Sequence, residues 1–131
     1  MTFGADTEIR EIIAHWEQSV RSEDFAGIRR NHADDILMFD VPPPFLSRGL
    51  DAYMETWQTF YPSQARPITF RFDEIQVTAG TEVAFATAVG TCGYIERGNK
   101  TDLKFRLTMG FGKRDGKWLI LHEHHSVPAA D

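Results

Sequence analysis

From residue 68 onward the hydrophobic period of this chain is two. The segments ITFRFDEIQVT, EVAFATAVGTCGYIE, DLKFRLTMGFGKR and KWLILHEHHSV each alternate apolar with polar residues, the pattern of strands buried on one face. They are separated only by AGTE, RGNKT and RDGK. Turns this short, with Gly or Asn where positive φ is needed, join antiparallel neighbours. The result is a meander of long strands, and its apolar face requires a second layer to cover it.

The first half of the chain supplies that layer. Ile9, Ile12, Ile13, Trp16 and Val20 recur at three- and four-residue steps, one face of a helix with Asp6 as its N-cap. A short second helix starts at Asp24 and carries Phe25, Ile28 and, at its end, His32. In HADDILMFDVPPP the period changes again. Ile36, Met38 and Asp40 share one face of a short strand, Leu37, Phe39 and Val41 the other, and three prolines end it. In RGLDAYMETWQTFYP, Gly49 permits the turn into a third helix. Tyr53, Met54, Trp57, Phe60 and Tyr61 form its apolar face and Pro62 stops it. The predicted order is α-α-β-α-β-β-β-β, an α+β fold in which three N-terminal helices pack on one face of a curved antiparallel sheet. With no repeat, linker or low-complexity segment, a single domain over residues 1–131 is expected.

Composition narrows the partners. A net charge of -5 argues against nucleic acid. No stretch reaches the ~18 apolar residues of a membrane span, and MTFGADTEIREII lacks the basic and apolar regions of a secretory signal. Cys92 is the sole cysteine, so no intrachain disulfide can form; a cytoplasmic location fits. Flanked by Gly and Thr with no base beside it, Cys92 reads as a small buried residue rather than a nucleophile. Ten Phe and three Trp are more bulky apolar material than average, which suits an apolar pocket or a subunit interface.

Three stretches carry a family resemblance: HADDILMFD, RGLDAYMETW and RDGKWLILHEHHSVP. Their order and spacing resemble the cone-shaped, cystatin-like α+β barrel shared by nuclear transport factor 2, ketosteroid isomerase, SnoaL-like polyketide cyclases and the association domain of calmodulin-dependent kinase. The resemblance spans nearly the whole chain. It implies a pocket between the helices and the concave sheet face, open at one end. It places Asp40 at the general base of the isomerases and Trp16 at an oxyanion-stabilising tyrosine. His32 and Trp57 fall at two further cavity tyrosines. The second oxyanion donor of the isomerases, a protonated aspartate, has no counterpart; Leu107 and Met109 stand in that region. The arginine that binds anions in the kinase-association members falls at Met109. Dimerisation through the convex sheet face is also implied.

The densest chemistry lies in LILHEHHSVP, which holds three of the five histidines. Strand alternation puts Trp118, Ile120, His122, His124 and Ser126 on one face, Leu119, Leu121, Glu123 and His125 on the other. The resemblance turns the face of Leu121, Glu123 and His125 toward the pocket. On the neighbouring strand Phe105, Leu107, Met109 and Phe111 would also face inward, Arg106 and Thr108 outward. His122 and His124 could chelate, but a metal site needs a third ligand that this face does not offer. They read as interface or hydrogen-bonding residues, and no metal or cofactor is called for. An inward Glu123 beside His125 is either acid–base material or a salt-bridged rim at the pocket mouth. Asp40 either caps a turn or enters an apolar lining as a usable base. His32 is either a satisfied core histidine or Asp40's proton partner. Trp16, Phe45, Trp57 and Tyr61 are core or ligand contacts, and His15 faces solvent.

Three functions fit these readings. One is a small metal-free enzyme of isomerase, cyclase or dehydratase type acting on a hydrophobic, carbonyl-bearing molecule. Asp40 would remove a proton and His32 or His125 would return it. Trp16, Phe45, Trp57, Tyr61, Leu107, Met109, Leu121 and Glu123 would line the site. The second is a binding module holding an apolar ligand, or a short acid paired with His125. The third is assembly alone through the outer sheet face. A homodimer is expected under any of the three, through a convex face carrying Phe72, Trp118 and Ile120 or their neighbours.

Overall fold

The computed structural model describes residues 4–130; residues 1–3 and 131 of the expected domain lie outside the described residues. Helix α1 (Gly4–Arg21) buries Ile9, Ile13, Trp16 and Val20. It starts two residues before the expected cap, so Asp6 sits in its first turn and pairs with Arg10 at 2.8 Å. Asp24 caps α2 (Phe25–Arg29), its Oδ1 accepting the Gly27 N–H at 3.0 Å. His32 does not belong to this helix. Arg30 has already left the helical region at ψ 141° and Asn31 turns left-handed at φ 66°, so His32 opens strand β1 (His32–Phe39).

The chain then forms a two-residue strand β2 (Ser47–Arg48), helix α3 (Leu50–Phe60) and one 3₁₀ turn (Tyr61–Ser63). Four long strands follow: β3 (Phe70–Ala79), β4 (Val83–Glu96), β5 (Asn99–Arg114) and β6 (Lys117–Ser126). Gly49 enters α3 at φ 89°, a conformation that a side chain would resist. Arg97–Gly98 and Asp115–Gly116 hold positive φ at both central positions, the primed turns that match strand twist.

The six strands form one sheet in the order β2-β1-β6-β5-β4-β3. The meander is antiparallel as expected, but β1 joins β6 in parallel. That pairing sets Met38 beside Glu123 and Phe39 beside His124, which brings the next residue, Asp40, to His125.

Two bulges change which residues face the core. On β6 Phe111 pairs with Ile120 but Gly110 with His122, so Leu121 is an extra residue. Trp118 and Ile120 before the bulge, and Glu123 and His125 after it, therefore all point inward and are buried. Strict alternation had separated these pairs, and Leu121 correspondingly leaves the concave face. A second bulge on β3, with Glu74 at φ 54°, does the same for Phe72 before it and Ile75 after it. Phe72, Trp118 and Ile120 are thus core residues rather than convex-face residues. Phe72 stacks on the Trp16 ring at 5.4 Å and 17°. Trp16 also meets Phe70 and Trp57 edge-on, at 5.6 and 6.2 Å. Apolar exposure on the convex side rests on Val83 (69%) and Phe85 (50%) instead.

Candidate active site

A cavity of about 550 Å³ opens between α3 and the sheet. The loop after β1 forms one wall, with Asp40, Val41, the three prolines and Leu46. Helix α3 forms the second with Ala52, Glu55, Thr56, Trp57, Thr59 and Phe60, and the chain continues it with Ser63 and Gln64. The floor is Phe70, Cys92, Gly93, Tyr94, Leu103, Phe105 and His125.

Behind that floor lies Glu123, a carboxylate with no solvent exposure. Its Oε2 accepts from His32 Nε2 at 2.6 Å and from the Tyr53 hydroxyl at 2.8 Å. Its Oε1 accepts from His125 Nε2 at 3.0 Å. The three donors come from β1, α3 and β6, so folding itself assembles the shell of this charge. A carboxylate can be buried only when paired in this manner. Burial pushes the Glu123 pKa up, but hydrogen bonds from His125 and His32 and their positive charge outweigh it, leaving it at about 2. Burial likewise pulls His125 down, yet bonds to Asp40 and Glu123 raise it to about 9. His125 is therefore an imidazolium at neutral pH, held between two carboxylates. Tyr53 is driven well above 10, first by burial and then by the Glu123 charge, so it remains a donor. The indole N–H groups of Trp16 and Trp57 border the Tyr53 hydroxyl without meeting hydrogen-bond geometry.

Asp40, with His125, carries this network to the cavity. Its Oδ1 accepts the Val41 N–H at 2.8 Å and meets His125 Nδ1 at 3.4 Å. Among the described residues Oδ2 has no hydrogen-bond partner, and the side chain is 21% exposed. The carboxylate is thus fixed by one oxygen with the other unengaged, in a wall of mostly apolar side chains.

The structure brings Asp40, His125 and Trp57 to the cavity and sets Glu123 directly behind His125. His32 is sealed behind Glu123, its Nδ1 on the Arg30 carbonyl at 3.3 Å, and reaches neither Asp40 nor the cavity. Trp16 is buried in the aromatic core, 1% exposed, and Tyr61 spends its hydroxyl on the Val20 carbonyl at 2.6 Å. Leu107 and Met109 are packed in the sheet–helix core. Leu121 is turned out by the bulge and covers Gly112. Phe45 stands 94% exposed outside the wall, on a loop whose prolines and Leu46 line the cavity in its place.

On the convex side His122 Nδ1 donates to the Leu37 carbonyl at 2.6 Å, and His124 packs edge-on to Phe39. His15 is half-buried against Ser19. Cys92 lines the cavity half-buried, and burial, then Asp40 and Asp102, raise its thiol to about 11. It is protonated at neutral pH and a poor nucleophile. Among the described residues no group of His, Cys, Asp and Glu forms a metal-binding set, and no helix is long and apolar enough to cross a membrane.

Sequence reasoning missed two residues. Tyr53 was read only as helix-face bulk, since nothing in the local pattern distinguishes a buried phenol with a partner from one without. Gln64 lies just past a helix stop, where a polar residue is unremarkable; only the fold shows that it is buried.

A sequence profile of the SnoaL-like domain matches residues 9–130. No curated protein matches the chain. Among solved structures, a nuclear transport factor 2-like protein of unknown function from Pseudomonas putida KT2440 superposes with a TM-score of 0.86 at 32% identity, over 98% of this chain and 89% of its own. A cystatin-like-fold protein of the same broad type from Novosphingobium aromaticivorans gives 0.81 at 16% identity, over 96% and 83%. A protein from Shewanella frigidimarina, provisionally named a ketosteroid isomerase, gives 0.71 at 20% identity, over 88% and 92%. The last two share the fold alone. With the profile covering nearly the whole chain and the cone of helices and curved sheet in place, this protein belongs to the SnoaL-like domain family.

Proposed function

We propose that the chain is an acid–base enzyme of isomerase, cyclase or dehydratase type acting on a hydrophobic, carbonyl-bearing small molecule, with Asp40 as its base. The observation that carries this reading is the unengaged Asp40 Oδ2 in an apolar wall, its other oxygen held by Val41 and His125. An α-proton would pass to Oδ2 as the C–H electron pair moves into the carbonyl, giving an enolate. The same carboxyl group would return the proton at another carbon. His125 does not deliver protons to the ligand in this scheme, since both ring nitrogens face carboxylates. Its positive charge instead offsets the charge of the enolate in a poorly solvated site.

The test needs no natural substrate. Cyclic ketones are incubated with the protein in D₂O and α-proton exchange is followed by NMR. Exchange above the buffer rate is expected for members that fit the cavity, and Asp40→Asn should reduce it by about a hundredfold or more. Exchange that stays at the buffer rate for every ketone, or an unimpaired Asp40→Asn variant, would remove the catalytic reading. Ligand binding without turnover would then stand, supported by both His125 ring nitrogens facing carboxylates rather than a ligand. Homodimerisation is a separate proposal. It rests on the exposed Val83 and Phe85 of the convex face, and light scattering at micromolar concentration decides it.

A further inference from the structure

We propose that the Ser47 hydroxyl donates a hydrogen bond to the ligand's carbonyl oxygen, which makes Ser47 a second catalytic residue beside Asp40. The carbonyl contact rests on the cavity being a ligand site. The catalytic part rests also on Asp40 acting as the base.

Residues directly opposite one another on paired strands share a face of the sheet. Ser47 of β2 is opposite Met38 of β1, and Met38 is opposite Glu123 of β6. All three are buried, so they form one row across the concave face. Arg48, opposite Leu37, belongs to the other face. Asp40 comes two residues after Met38, one row further on, where it meets His125. Ser47 and Asp40 are therefore diagonal neighbours on adjacent strands, their Cα atoms roughly 7–8 Å apart. A carbonyl oxygen and a hydrogen on the neighbouring carbon fit between two such side chains.

Ser47 is 5% exposed and lines the cavity. Among the described residues its hydroxyl has no hydrogen-bond partner. The buried polar atoms that are both unpartnered and sealed belong to Trp16, Trp57, Gln64, Thr91 and Trp118. Ser47 Oγ is not one of them, so it keeps open surface, and the open space beside it is the cavity. The other donors around Asp40 are spent. Tyr53 gives its hydroxyl to Glu123, Thr56 gives its own to the Tyr53 carbonyl, and both His125 nitrogens face carboxylates. Tyr94 stands on β4, three strands from β1. When Asp40 Oδ2 takes the α-proton, the C–H electron pair moves into the carbonyl and charge grows on its oxygen. A donor fixed at that oxygen stabilises the enolate more than the neutral ketone. Ser47 keeps its own proton throughout.

The probe is a decalone labelled with ¹³C at its carbonyl, bound to the purified protein and observed by NMR. A hydrogen bond moves a carbonyl resonance downfield. The resonance bound to wild type should lie downfield of its position in hexane, and Ser47→Ala should return it toward that position. Ser47→Thr keeps a hydroxyl and should keep the shift. Since the Ser47 hydroxyl has no partner in the fold, Ser47→Ala leaves no group unpaired and should retain the wild-type circular dichroism. Its α-proton exchange in D₂O should fall about a hundredfold. Asp40→Asn should instead stop exchange while keeping the shift, which separates the two residues. A wild-type carbonyl at its hexane position would overturn the assignment. So would a shift that Ser47→Ala leaves unchanged, or a decalone that does not bind. A shift without exchange in wild type would remove the Asp40 chemistry and the catalytic part with it, and would support the Ser47 contact.

Discussion

Glu123 makes the stability of this protein depend on pH in a predictable direction. His125 rises from 6.5 to about 9 on folding because Asp40 and Glu123 overcome its burial. A pKa raised in the folded state means that folding takes up a proton between those two values. The associated stability is fully present below pH 6.5 and is lost as pH climbs through 9. Its size is about 3 kcal/mol, a large part of the 5–15 kcal/mol typical of a domain. Glu123 acts in the opposite direction. Its pKa falls from 4.5 to about 2, so its contribution is present above 4.5 and lost on acidification toward 2. The His125–Glu123 hydrogen bond enters both shifts, so the two amounts do not add. Urea unfolding followed by circular dichroism should therefore show a plateau between pH 4.5 and 6.5 and a decline from 6.5 to above 9. Glu123→Gln removes the charge and sets an amide N–H₂ against donors. It should cost about 3 kcal/mol at the plateau and flatten the alkaline decline to about 1 kcal/mol or less, as His125 moves back toward its ordinary value. Wild-type stability constant across the alkaline window would refute this reasoning. An alkaline decline undiminished in Glu123→Gln would do the same.

Two further substitutions probe the walls of the cavity. At Gly90 an added Cβ would collide with the Phe105 ring, part of the cavity floor. Gly90→Ala should destabilise by about 1–3 kcal/mol in urea unfolding and weaken ketone binding as the ring is displaced. Phe45 is 94% exposed outside the wall, so Phe45→Ala should leave the urea midpoint within about 0.5 kcal/mol. A larger loss would mean that this ring is covered in solution.

The fold was legible because its signals are local and repeat. The meander is written in the alternation of residues 68–127 and in the RDG and RGN turns, and α1 and α3 in their apolar spacing. The position of Asp40 was legible because it follows Ile36 and Met38 on one strand face, and that of His125 because the family resemblance turns its strand face inward. What was not legible depends on pairing between distant segments. The parallel contact of β1 with β6 has no local signature, and it alone sets Asp40 beside His125. For His32 the sequence leaves open a satisfied core histidine or a proton partner of Asp40; the structure shows the first, buried on Glu123, with an irregular register between His32 and Leu37. Tyr53 became the third donor to that carboxylate only because α3 packs over β1 and β6.

The Leu121 bulge joins two functions of β6, and its removal should show how tightly they are bound together. Before it, Trp118 and Ile120 fill the core under α1, 5% and 0% exposed. After it, Glu123 and His125 build the site. Because side chains alternate strictly along a regular strand, an odd extra residue is the sole way for both pairs to face inward. Deleting Leu121 restores regular alternation and forces one pair outward. Turning out Trp118 and Ile120 forfeits burial worth about 4–8 kcal/mol. Turning out Glu123 strands the buried His32 and Tyr53 without their acceptor, at about 1–3 kcal/mol each, and dismantles the support of His125. Either outcome approaches the entire stability of the domain, so the deletion variant should lack a cooperative urea transition or lose the alkaline decline set by His125. Leu121→Ala keeps the bulge and removes only a half-exposed side chain resting on Gly112, and should retain both. A deletion variant with wild-type unfolding and the same pH profile would show that β6 reaches its register by some other means.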